Sequence, residues 1–238
     1  MTARKDGRTN HQMREIVLTP DYIKNVAGSV LIEQGDTRVV CTATYENKVP
    51  FFLKNSDKGW VQAEYSMLPG STGNQRVNRE RLRVNNRHIE IQRFIGRAFR
   101  TTFDLKTIAS TTICIDTDVI QADGSTRCAA INGGMVALVK TLKHLVFETI
   151  IPDLPEIKFI AAVSIGVIGS DILVDLNYQE DFNAGADINI VSTEKGDIVE
   201  VQAMGEETII PKAIFQEVIE IGVKKNLEII EKLKKSCK

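Results

Sequence analysis

Cysteine is scarce and scattered: Cys41, Cys114, Cys128 and Cys237 lie far apart, and no Cys-x-x-Cys pair occurs. That spacing excludes a disulfide framework and a zinc finger, and the four read as reduced core or surface thiols. The three histidines, His11, His88 and His144, are as widely separated and supply no metal-ligand spacing. No apolar run is long enough to span a bilayer, and the opening Met1-Thr2-Ala3-Arg4-Lys5-Asp6-Gly7-Arg8 is polar where a signal peptide needs an apolar stretch. The expectation is a cytoplasmic address and no membrane partner. A formal net charge of −1 gives no bulk positive excess that would mark a nucleic-acid binder.

What the chain does carry is a local excess of arginine. Between Gln75 and Arg100 stand Arg76, Arg79, Arg81, Arg83, Arg87, Arg93, Arg97 and Arg100, against only Glu80 and Glu90. Arginine rather than lysine throughout favours phosphate recognition or ion-paired subunit contacts, because its planar fork matches both. A solvated face balanced by acidic segments elsewhere is the plainer alternative.

The 238 residues, 43% of them hydrophobic, are ample for a core. Gly28 to Glu46 reads as a β-hairpin turning at Gly35-Asp36-Thr37. Val49-Pro50-Phe51-Phe52-Leu53-Lys54 follows as a loop whose rings either stack on bases or simply pack. Gly59 to Tyr65 is a strand, and the Gly/Asn/Arg-rich stretch up to Asn86 a loop. From His88 to Phe103 the spacing of Ile91, Phe94, Ile95, Ala98 and Phe99 predicts an amphipathic helix, with Arg93, Arg97 and Arg100 on another face. A strand ending at Gln121 leads through a short loop to a helix over about Cys128–Glu148, in which Gly133-Gly134 implies close approach to a sheet. Beyond the hinge Ile151-Pro152-Asp153-Leu154-Pro155 the pattern repeats: strands over Phe159–Val167 and Ile172–Leu176, a hairpin over Asp187–Gln202, and a helix over about Lys212–Lys234. Hairpins alternating with helices, twice over, predict an α+β fold of two related halves, 10–150 and 156–235, not a dinucleotide-binding pattern.

Two constellations carry chemistry. Asp123-Gly124-Ser125-Thr126-Arg127 joins a strand to a helix start, where glycine permits close backbone approach and unpaired N–H groups attract an anion. Thr126 adds a hydroxyl and Arg127 a guanidinium. On these residues alone, Ser125 or Thr126 acting merely as a helix cap is an open alternative. Arg87, at the start of its own helix, is free to reach a neighbouring loop. The second constellation is Asp175, Glu180, Asp181 and Asp187, around a turn rich in small residues. Asp175 ends one strand and Asp187 begins the next, so both are expected at one edge of one sheet. Each reads as a turn former alone, and together as a cation or proton site.

These residues together resemble the ribonuclease PH family of phosphorolytic 3′→5′ exoribonucleases. The similarity runs nearly the full chain, through Asp6-Gly7-Arg8, Gly28-Ser29-Val30-Leu31, Gly59-Trp60-Val61, Ala63-Glu64-Tyr65, Met67-Leu68-Pro69, Glu90 to Arg97, Asp118 to Gly124, Thr126-Arg127, Glu180-Asp181 and Val199-Glu200-Val201-Gln202. It implies one domain over 1–238, a duplicated β-α-β-α core of the ribosomal-protein-like type with two mixed sheets packed against helices, and a homohexameric ring of dimers. By the same resemblance Arg87, Gly124, Ser125, Thr126 and Arg127 bind inorganic phosphate, the co-substrate. Asp181 and Asp187 serve the leaving group or hold Mg²⁺, and Arg76, Arg79, Arg93, Arg97 and Arg100 meet RNA, with tRNA 3′ ends as substrate. The implied reaction releases nucleoside diphosphates and is reversible to nucleotide addition. The alternative is a catalytically silent RNA-binding subunit of an exosome-like ring. A small-molecule kinase lacks its Gly-x-x-x-x-Gly-Lys-Ser/Thr loop here. The chain departs from the family pattern at Asn85-Asn86 and Ser125, where glycines are usual. It also departs near Phe51 and Gly70, where arginine is usual, at Cys128 (threonine) and at Phe182 (serine).

Overall fold

Alternating apolar residues build the first sheet. Val30 and Ile32, then Val39, Cys41 and Ala43, then Ile113 and Ile115 put one face of three neighbouring strands into the core, while the residues between them stay at least partly open to solvent. In the computed structural model, which describes residues 4–73, 76–78, 85–205 and 208–238, five strands form this sheet. They are β1 (Ile16–Pro20), β2 (Gly28–Gln34), β3 (Thr37–Glu46), β4 (Trp60–Met67) and β5 (Thr112–Gln121), in the order β1-β2-β3-β5-β4. The β2–β3 hairpin pairs Gln34 with Thr37 across a tight turn in which Gly35 takes φ +57°. Among the described strands only β4 and β5 run parallel. Their connection is a crossover through helix α1 (Asn86–Phe99), which buries the expected stripe of Ile91, Phe94, Ile95, Ala98 and Phe99.

Helix α2 (Thr126–Phe147) leaves β5 and runs through the middle of the molecule, packed against the first sheet on one side and the second on the other. The paired glycines explain how it fits. A Cβ on Gly133 would stand 2.6 Å from Cys41 Sγ, and one on Gly134 would stand 2.7 Å from Phe99 Cζ. The second sheet holds β6 (Ile160–Ile168), β7 (Asp171–Val174), β8 (Ala186–Thr193) and β9 (Ile198–Gly205), ordered β7-β6-β8-β9. A short helix α3 (Tyr178–Asn183) links β7 to β8, and α4 (Lys212–Ser236) packs on β6 and β8. The α+β class with two sheets layered on helices holds. The first sheet is mixed and the second has only antiparallel pairs, because turns or the single-turn-scale α3 join its strands. One continuous apolar cluster draws on both sheets and on α1, α2 and α4.

Among the described residues β1, α3 and the short 3-10 turns Phe51–Leu53 and Leu105–Ile108 lay outside the sequence expectation. Both helices that start near the proposed site begin two residues earlier than their apolar stripe suggested. That moves Arg87, Thr126 and Arg127 out of loops and into first helical turns. Among the described residues no helix is long and apolar enough to cross a membrane.

Candidate active site

Arg87 and Arg127 sit in the first turns of α1 and α2, and both line a cavity of about 1090 Å³. The opposite wall comes from the second sheet and α3: Asp181, Asp187 and Asn189, with Gln202 and Met204 on β9. Strand register explains the grouping. Asp187 pairs with Met204 and Asn189 with Gln202, so all four side chains leave one face of the β8–β9 ladder. Two guanidinium groups and Glu90 from the first half of the chain thus share one cavity with Asp181 and Asp187 from the second.

The capping alternative for Ser125 and Thr126 does not hold. Ser125 lies at φ +53°, and no side chain caps α2 there. Its hydroxyl points inward, 2.5 Å from Ser164 Oγ, and donates to the Asp175 carboxylate at 3.1 Å. The Thr126 hydroxyl shares a 2.8 Å hydrogen bond with the Tyr65 phenol. Helix α1, by contrast, is capped by Asn85, whose side chain accepts from the Arg87 amide. Helix α2 therefore brings a first turn without a side-chain cap to the cavity rim, which suits an anion. Gly124 has φ +70°, but the group it approaches is protein: a Cβ would stand 2.3 Å from the Leu176 carbonyl oxygen. Of the proposed phosphate residues, then, Arg87 and Arg127 line the cavity directly. Gly124 and Ser125 anchor the loop from behind, and Thr126 is tied to Tyr65.

Several groups hold these side chains in place, and only the fold reveals them. Arg127 donates to Gln202 Oε1 at 2.7 Å and lies 3.5 Å from Glu90, to which Gln202 also donates. Burial pushes the Tyr65 phenol above its usual range, against the opposing Thr126 hydrogen bond and the charges of Arg87 and Arg127. On the acidic side, Asn189 Nδ2 donates to Asp187 Oδ2 at 2.8 Å, and the Cys128 thiol donates to Asn189 Oδ1 at 3.2 Å. Burial first, and then the Asp187 charge, keep that thiol protonated. Which end of the Asn189 amide faces Asp187 follows from that donor. The Asp-x-Asn spacing of a strand, putting both on one face, is the signal that would have found Asn189.

The four carboxylates of the sequence reading separate into two pairs. Asp175 is fully buried and receives Arg14 Nη2 at 2.6 Å, Arg14 Nε at 3.0 Å and Gln34 at 2.7 Å. Glu180 receives Arg4 at 2.6 and 2.7 Å and closes a capping box on α3 with Asn177. These two hold the architecture. Asp181 and Asp187 face the cavity. As donors they fit Mg²⁺, a hard cation that keeps several waters and binds through one or two carboxylates plus substrate phosphate. No group of three or more His, Cys, Asp or Glu side chains forms an all-protein cage among the described residues.

Of the expected RNA-facing arginines, Arg93 and Arg97 line a smaller cavity of about 280 Å³ next to the first, with Glu90 in both. Arg97 is paired with Glu200. Arg100 diverges from them, lying 4.4 Å over the Trp60 ring and donating to the Val61 carbonyl, because β4 passes beneath the end of α1. Arg76 is exposed, and Arg79, Arg81 and Arg83 lie outside the described residues.

Comparison with known proteins adds to this geometry. The family model described as 3′ exoribonuclease family, domain 1, matches residues 12–143, and that for domain 2 matches residues 158–225. Among solved structures, rice (Oryza sativa) Rrp46 superposes with a TM-score of 0.80 at 19% identity, over 99% of this chain and 100% of that one. A chain of an archaeal exosome core gives 0.79 at 19% identity, over 97% and 91%. A chain of the Archaeoglobus fulgidus exosome with RNA bound to the active site gives 0.82 at 19% identity, over 97% and 92%.

Proposed function

Because the chain belongs to the 3′ exoribonuclease family, we propose that it shortens RNA from the 3′ end by phosphorolysis, releasing nucleoside diphosphates. The single observation that carries this reading is the cavity in which Arg87 and Arg127 face Asp181 and Asp187. The reaction brings an anion against an anion. Two unit charges about 4 Å apart repel by roughly 4 kcal/mol at an effective dielectric near 20. Arg87 and Arg127, with the first-turn amides of α2, offset that repulsion and hold inorganic phosphate in line with the terminal phosphodiester. Gln202 and Glu90 fix the plane of the Arg127 guanidinium, and Asn189 fixes Asp187. The departing ribose 3′-oxygen needs a proton or a positive charge. Asp187, anchored at the start of β8, is the preferred proton carrier, with Asp181 its partner. The same two residues would hold Mg²⁺, which when bound neutralises charge on the departing oxygen.

The bond made and the bond broken are of similar energy, so the same site extends RNA from nucleoside diphosphates. The substrates we assign are the 3′ ends of tRNA precursors and other RNAs, and the assembly a homohexameric ring of dimers in the cytoplasm. Arg93 and Arg97, beside the cavity, extend the positive surface along which RNA would enter.

A second reading, a silent RNA-binding subunit of an exosome-like ring, is favoured by one observation: Glu90 already lies 3.5 Å from Arg127. One experiment separates them. A 3′-tailed tRNA is incubated with and without inorganic phosphate and the products are identified. Nucleoside diphosphates that appear only with phosphate support the enzyme, and their absence supports the silent subunit. Arg127→Ala should raise the phosphate KM by roughly tenfold to a hundredfold, the equivalent of ~1.5–3 kcal/mol for a charged hydrogen bond. An unchanged phosphate dependence removes Arg127 from the site.

A further inference from the structure

The cavity has an aromatic wall that the phosphate chemistry does not use. Tyr178, Asp181 and Phe182 stand at i, i+3 and i+4 on α3, so they share one face of the helix, and all three line the cavity. Both rings are open to solvent, Tyr178 at 57% and Phe182 at 76% exposure, with centroids 6.4 Å apart. Met204, 63% exposed, enters the same cavity from β9, directly across the ladder from Asp187.

This apolar surface is not on a loose segment. The capping box of Asn177 and Glu180 closes α3, Arg4 and Arg8 hold Glu180, and the Tyr178 amide donates to Asp123 Oδ1 at 3.0 Å. Asp123 in turn belongs to the loop that opens α2. Two rings fixed relative to the phosphate-binding arginines, facing a polar cavity, fit a flat ligand with an attached phosphate.

We propose that Tyr178 and Phe182, with Met204 across the cavity, form a stacking platform for a nucleobase flanking the phosphodiester that is cleaved. The inference rests on the function proposed above and adds the base to it. Phe182 is the more exposed of the two rings. Asp181, on the same helix face, ties the base position to the position of the reacting ribose oxygen. Stacking is tolerant of sequence because every base offers a π-face, so the platform recognises the presence of a base rather than its identity.

The test is equilibrium binding of short RNA by the full chain without phosphate, where no turnover occurs. Phe182→Ser should weaken binding of an RNA with intact 3′ bases by about tenfold, within the range of base–aromatic stacking. It should not weaken binding of an RNA whose two 3′-terminal nucleotides are abasic, and Phe182→Tyr should restore the difference. A 2-aminopurine at the 3′ end should lose fluorescence on binding the wild type and keep it on binding Phe182→Ser. Equal losses of Phe182→Ser on base-bearing and abasic RNA would overturn the platform. So would a change in sedimenting mass with unchanged RNA affinity, which would make the rings a subunit contact. Base-dependent binding by a wild type that releases no nucleoside diphosphate would sink the enzyme reading and leave the platform standing.

Discussion

At the scale of single residues, Asp175 and Asp187 show how alike two carboxylates look in sequence and how differently the fold places them. Asp175 has no exposed surface. Burial alone would raise its carboxyl, but hydrogen bonds and charge from Arg14, helped by Arg8, hold it below the ordinary carboxylate range. A folded-state value below the unfolded one means that the stabilisation is full above pH 3.8 and is lost as the pH falls through the folded value. Asp175→Asn leaves the Arg14 guanidinium buried against a neutral amide. The variant should lose about 3–5 kcal/mol of stability at neutral pH, as expected when one partner of a buried pair is removed. Urea midpoints measured across pH would show the gap to wild type constant near neutrality and narrowing below about pH 3.8; a gap independent of pH would mean that the ion pair is not what stabilises. Sequence pattern grouped Asp175 and Glu180 with the site because their partners, Arg4, Arg8 and Arg14, come from the far end of the chain. Nothing in local spacing announces a pairing across some 160 or more positions. Asp181 and Asp187, by contrast, were legible as neighbours, because a turn and a strand start place them at the cavity without distant help.

At the scale of elements, periodicity served the long segments well. The stripe of α1, the hairpin β2–β3 and the glycine pair of α2 were all readable, since each follows from spacing along the chain. The short elements were not: α3 has six residues, too few for a period, although Asn177 and Glu180 spell a capping box. The seat before α2 was half legible. Its glycine was expected to admit a ligand, yet what stands close to it is the Leu176 carbonyl, so its role is to lock the loop onto the second half of the chain. A Cβ there meets that oxygen, and the backbone sits at φ +70°, a region costing a non-glycine residue roughly 1–2 kcal/mol before any clash. Gly124→Ala should therefore lower the urea midpoint and raise the phosphate KM together, since the first turn of α2 moves with the loop. Gly70→Ala, where a Cβ meets no described residue within 4 Å, is the control and should shift stability by less than about 0.5 kcal/mol. Loss of stability in Gly124→Ala with an unaltered phosphate KM would separate the loop from the site.

At the scale of the molecule, the two halves recognised in sequence do not behave as two bodies. Helix α2 belongs to the first half by chain order, yet its surface is buried against β2, β3 and β5 on one side and against β6 and α4 on the other. Asn132 on that helix exchanges hydrogen bonds with both the carbonyl and the amide of Ala162 on β6, beyond the part of β6 that β7 covers. Further ties cross the same boundary: Ser125 to Ser164, Arg14 to Asp175 and Arg4 to Glu180. The cavity is divided in the same way, Arg87, Glu90 and Arg127 from one half and Asp181 and Asp187 from the other, so it exists only when both are folded. Folding and site assembly are therefore one event, and the expected unfolding is a single cooperative transition. Trp60, the sole tryptophan, sits on β4 and reports the first sheet alone, whereas far-UV circular dichroism reports both sheets. In urea the two signals should change together, and a chain cut to residues 10–150 should show no cooperative transition, because the face of α2 that packs on β6 and α4 would meet water. A tryptophan transition displaced from the circular dichroism, or a cut chain that unfolds cooperatively, would mean that the halves fold separately and that α2 does not join them.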